Sequence, residues 1–97
     1  MTSFNKEKKV YVIVHGQKQH FEKVESNLIQ FGFIKDKIIP ANMQETGNPG
    51  DYVAMIWPPM APIEIILSEI INFDGNGPGK GAWADLNKKE LERIPLT

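Results

Sequence analysis

Candidate reactive and ligand-binding side chains gather in two short segments. The first is His15-Gly16-Gln17-Lys18-Gln19-His20. A glycine leaving a strand lets the backbone approach an anion, the free N–H groups of a following helix point at it, and Lys18 adds positive charge. His15 belongs to the side-chain type that titrates near neutrality. His15, Gly16 and Lys18 are therefore candidates for contacting a phosphate or a sugar. The plainer alternative is an ordinary turn with solvated polar groups. His15 and His20 stand five apart, about 140° around a helix of 3.6 residues per turn. A histidine metal pair needs a spacing of four, so no metal site is expected.

The second segment is Trp57-Pro58-Pro59-Met60-Ala61-Pro62-Ile63-Glu64. Trp57 offers a flat face for a base or a partner's side chain, and the three prolines stiffen the stretch into a preorganised recognition loop. Trp57 and Met60 are expected at the recognition surface. Glu64 is the one carboxylate placed to serve as a nucleophile. The alternative here is a rigid connection in which Trp57 covers the edge of the core. Pro59-Met60-Ala61-Pro62 also has the minimal spacing of a polyproline ligand, but no neighbouring Arg or Lys supports it.

The remaining inventory is thin. The glycine-rich stretch at residues 74–81 has Asp74 where a Walker loop needs its first glycine, and Gly81 follows Lys80 where Ser or Thr is required. A dinucleotide-binding unit needs about thirty residues in all, and only 15 follow Ala82. Residues 74–82 are expected to be a loop or linker. Ser3, Ser26 and Ser68 lie in no nucleophile elbow. The absence of Cys removes disulfides, thiolate metal sites and a thiol nucleophile.

Several elements must position these groups. Val10-Tyr11-Val12-Ile13-Val14 is apolar at every position, the pattern of a strand buried on both faces. Phe21, Val24, Leu28 and Phe31 form one stripe of an amphipathic helix over 17–31, and Gly32 sits where such a helix stops. Ile38-Ile39 before Pro40 is a short strand candidate. Residues 52–57 read as a strand ended by Pro58 and Pro59. Pro62 suits the first turn of a helix over 63–73, in which Glu64, Ser68 and Asn72 make a narrow polar stripe; its isoleucines also allow a strand. Asp85 can cap a last helix over 86–94, stopped by Pro95.

The expected fold is a small single-domain α/β sandwich over 1–97. It has about three strands, a right-handed β-α-β crossover, a second apolar helix and a short C-terminal helix, with residues 1–8 flexible. The spare apolar face of the second helix predicts self-association through Ile63, Ile66 and Ile70.

The order of Tyr11 in a first strand, a helix, the strand at residues 51–57 and Glu64 opening the next element is similar to nucleoside 2-deoxyribosyltransferase-like proteins. That resemblance covers residues 10–70 and implies a helix-borne Glu64 attacking an anomeric carbon. Pro59-Met60-Ala61-Pro62 replaces the small residues which that family carries before its glutamate.

Composition bounds the function classes. With 97 residues, 41% of them hydrophobic, the chain is globular and of single-domain size. Residues 1–40 carry seven basic and four acidic side chains and residues 41–97 carry four and eight, for a net charge of −1. Such a balance provides no basic footprint for duplex nucleic acid. No apolar run is long enough for a membrane span, and the N-terminus lacks the core of a signal peptide, so a cytoplasmic location is expected. The expectation is a non-enzymatic binding or regulatory protein without cofactor. It would occupy a partner protein or sequester a small ligand, as a homo-oligomer. The alternative is a nucleotide- or nucleoside-directed protein with Glu64 as its reactive carboxylate.

Overall fold

A computed structural model describes residues 5, 7–14, 18–41, 48–58, 60–73 and 86–97. Along the chain come β1 (Val10–Ile13), α1 (Lys18–Phe31), a 3-10 turn (Lys35–Lys37), β2 (Ile38–Pro40), β3 (Tyr52–Trp57), β4 (Glu64–Phe73) and β5 (Leu86–Pro95). The strands form one sheet in the order β2-β1-β3-β4-β5. β1 pairs parallel with β2 and with β3. β3 with β4, and β4 with β5, pair antiparallel.

This architecture overturns the expected three-strand sandwich. Residues 63–73 do not form a second helix but β4, a ten-residue strand. Residues 86–94 do not form a C-terminal helix but most of β5. For β4 the cause lies in Ile65, Ile66, Ile70 and Ile71, which are stiff at χ1 and fit a pleated surface better than a helix. With β3 on one side and β5 on the other, β4 is an interior strand, so apolar residues on both of its faces find cover. The expected 74–82 loop, and the His15-Gly16 turn, lie outside the described residues.

Alternation sorts the sheet into two faces. On the first, Val10, Val12, Tyr52, Ala54, Ile56, Ile65, Leu67 and Ile94 pack with Val24 and Leu28 of α1 and with Phe33. Phe33 meets the Tyr52 ring edge-on, with centroids 5.7 Å apart. The second face carries Tyr11, Val53 and Ile70, with Ile13, Ile39, Ala41 and Met55 packed around them. α1 ends where the sequence predicts. Gly32 adopts φ 126°, and the N–H of Phe33 reaches back to the Leu28 carbonyl at 2.9 Å, satisfying a terminal carbonyl of the helix. Phe31, expected on the buried stripe, is exposed instead, and Asn27 is buried.

Two polar ties hold the chain's outer segments. The backbone N–H of Asn5 donates to the Tyr52 hydroxyl at 3.0 Å. Asn27 Nδ2 donates to the Lys23 carbonyl at 2.7 Å, and Asn27 Oδ1 accepts from both the N–H and the Oγ1 of Thr97, each at 3.1 Å. One buried amide thus fastens the segment after β5 to the helix on the first face. Replacing it should remove these bonds, at about 0.5–1.5 kcal/mol since the exposed Thr97 can turn to water. Asn27→Ala is therefore expected to lower the urea midpoint with an unchanged slope, and a midpoint equal to wild type would refute the tie.

Candidate functional site

The β3–β4 register places Trp57 opposite Glu64, Met55 opposite Ile66 and Val53 opposite Ser68. Directly paired residues on one face of an antiparallel pair hold their Cβ atoms about 5 Å apart. Trp57 follows Val53 and Met55 by steps of two and therefore lies on the second face, as does Glu64. A six-residue connection joins the two strands. It is closed by the N–H of Ile63 donating to the Trp57 carbonyl at 2.9 Å, and its Trp57–Pro58 peptide is cis. The Ile63 carbonyl accepts from Leu96 at 3.0 Å, tying the turn to the end of β5. On this frame Trp57 is 51% exposed, Met60 78% and Ile63 69%.

A bulge in β5 completes the site. Leu67 faces Glu92 and Ser68 faces Glu90, so Leu91 has no partner of its own. In an unbroken strand, residues three apart lie on opposite faces. The extra residue cancels that change of face and puts Glu90 and Arg93 on the second face together. Leu91 and Ile94 then both pack against the helix-side core.

Arg93 Nε donates to Glu90 Oε2 at 3.2 Å and Nη2 to Glu90 Oε1 at 3.3 Å, a two-pronged contact. Nη1 donates to Glu64 Oε1 at 3.0 Å. The Glu90 hydrogen bond, then the Glu90 and Glu64 charges, raise the Arg93 pKa above its ordinary value. All three guanidinium nitrogens are thus committed to carboxylates of the protein itself. Beside this cluster runs a half-buried apolar row, Ile13, Met55 and Ile66, which ends at Arg93. In the next row Ser68 is fully buried, and among the described residues its Oγ has no hydrogen-bond partner.

The residues singled out from the sequence separate accordingly. Trp57, Met60 and Ile63 are brought to one exposed turn. Ile66 is half-buried on the second face and Ile70, at 1% exposure, belongs to the core. The helical stripe that was to display all three isoleucines is therefore replaced by a turn that exposes Ile63 and a strand that partly covers Ile66 and buries Ile70. Glu64 opens a strand, not a helix, and is ion-paired. Asp51 immediately precedes β3 and Glu64 faces its last residue, about 20 Å apart at 3.3 Å per residue, too far for paired acid-base work. Lys18 opens α1; His15 and Gly16 lie outside the described residues. Among the described residues no three His, Cys, Asp or Glu side chains gather to hold a metal ion, and no helix is long and apolar enough to cross a membrane.

Sequence reasoning missed Arg93 and Glu90. Their spacing of three suits an ion pair on a helix, and it was absorbed into the helix expected there. Comparison with protein-family models, curated proteins and solved structures finds no match.

The lone hydroxyl of Ser68 gives a direct check on this face. A buried polar group without a partner destabilises the fold, so Ser68→Ala should stabilise it by about 1 kcal/mol. A raised urea midpoint is the expected result, and a lowered one would mean that the hydroxyl is satisfied.

Proposed function

We propose that this protein is a non-enzymatic binding module which docks a partner protein through the β3–β4 turn and the adjoining end of the second sheet face. The observation that carries this reading is the exposure of Trp57, Met60 and Ile63, three large apolar side chains within seven residues, on a turn closed by its own hydrogen bond. Scattered exposed apolar residues are ordinary, but a contiguous group on a stiff support is the usual sign of a contact surface. Tryptophan is the side chain most enriched among residues that dominate binding energy.

The chemistry nearby favours binding over turnover. Glu64 is held by Arg93, and Asp51 is too distant to work with it. Trp57 and Met60 supply anchors, while Ile13, Met55 and Ile66 supply an apolar floor beside them. Because the turn is preorganised, little ordering entropy would be lost when a partner seats on it.

Both Trp57→Ala and Met60→Ala are expected to weaken a copurifying partner's binding by about ten-fold or more, by calorimetric titration. Because both side chains are exposed, thermal melting should be nearly unchanged. Ile29→Ala, on the exposed side of α1, should bind as wild type. Full affinity in both turn variants would overturn the placement, and sedimentation over a range of concentrations would show whether the partner is a second copy.

A further inference from the structure

We infer that the partner presents a cation, an arginine or lysine side chain, to the corner formed by Trp57 and Glu64. This inference rests on the docking surface proposed above and names the chemistry which that surface selects. Trp57 and Glu64 are register partners on one face, so a group lying over the indole is also within reach of the carboxylate. The indole face carries the negative part of the ring's quadrupole and attracts cations within about 6 Å of its centroid.

The carboxylate has capacity to spare. Arg93 engages Glu64 through Oε1 alone, and among the described residues Oε2 accepts no hydrogen bond. Arg93 is largely spent within the cluster, since three of its five N–H groups already point at Glu90 and Glu64. The cluster therefore holds two carboxylates and one guanidinium, a net charge of −1, and three of its four carboxylate oxygens accept from Arg93. Trp57, Glu64, Glu90 and Arg93 all come from residues 41–97, which carry eight acidic side chains against four basic ones. Arginine suits the corner particularly well, since its planar group stacks on an aromatic face while donating to a carboxylate. Met60, exposed at the turn, is positioned to receive the apolar neighbours of that side chain.

The probes are the blocked tripeptides acetyl-Leu-Arg-Leu-amide, acetyl-Leu-Gln-Leu-amide and acetyl-Leu-Glu-Leu-amide. Each is titrated into the full chain while the indole Nε1–H resonance of Trp57, assigned by its loss in Trp57→Phe, is followed by NMR. The arginine peptide should bind at least about five-fold more tightly than the glutamine peptide, with the glutamate peptide weakest. Glu64→Gln should abolish the advantage of arginine over glutamine. Arg93→Gln, which removes the internal cation, should enlarge it. Equal binding of the arginine and glutamine peptides would overturn the cation inference and leave the docking surface standing. Preference for the glutamate peptide, lost in Arg93→Gln, would transfer the recognition to Arg93 and overturn it as well. No movement of the resonance with any peptide at about 20 mM, a range that detects even millimolar affinity, would remove the docking surface together with the inference.

Discussion

The structure depends on the two-sided pairing of β3. On one side its backbone meets β1 in parallel register, and on the other it meets β4 antiparallel. Such a strand has no free edge, and within it Val53, Ala54 and Ile56 are almost wholly removed from water. The parallel side dictates a crossover between β1 and β3, which contains α1 and β2. The antiparallel side needs only a short turn, and that turn is where Trp57 and Met60 become exposed. Burial in the centre and display at the end of the strand are thus consequences of a single register.

That register also assembles the charged corner. Pairing Trp57 with Glu64 fixes β4, and β4 in turn fixes where β5 must bulge to keep Leu91 and Ile94 on the helix side. A β-bulge commonly re-aims side chains at the rim of a sheet. Here it turns Arg93 toward Glu64 while keeping Glu90 beside it. The outer strands are unsuited to extending the sheet. β2 has three residues and ends in Pro40, whereas β5 carries Lys88, Lys89, Glu90, Glu92 and Arg93, is interrupted by register shifts and ends in Pro95. Charges, bulges and prolines on an edge are the devices that discourage strand addition. Both edges of the sheet are thereby guarded against strand addition.

Some of this was legible in the residues and some was not, for identifiable reasons. The unbroken apolar run of β1, the three-four-three spacing in α1 and the glycine that stops it all point one way. The proline-bounded stretch at 57–62 likewise announced a stiffened connection, but left open whether Trp57 is displayed or covers the edge of the core. Residues 63–73 did not, because Glu64, Ser68 and Asn72 recur every four positions, and four is both about one helical turn and two full strand repeats. A polar stripe with that spacing lies on one face of either element. The isoleucines were the better guide. Residues 86–95 misled by a different route. Leu91 and Ile94 stand three apart, as do Glu90 and Arg93, and these are helical neighbours unless a bulge shifts the face. No local signal marks that bulge, which is imposed by pairing with β4, far away in sequence. The corner at Glu64 and Arg93 was hidden for the same reason, since its two residues are 29 positions apart.

The corner built from Trp57, Glu64 and Arg93 requires β4 and β5 to be paired strands, and backbone NMR decides this most directly. Strong Hα-to-next-amide contacts along both segments, Hα–Hα or amide contacts joining Met55 to Ile66 and Ile66 to Arg93, and contacts from Leu67 to both Leu91 and Glu92 are the predicted result. Successive amide–amide contacts with Hα-to-amide contacts three residues on, through either segment, would contradict it. They would restore a helix there and dissolve the corner built from Trp57, Glu64 and Arg93.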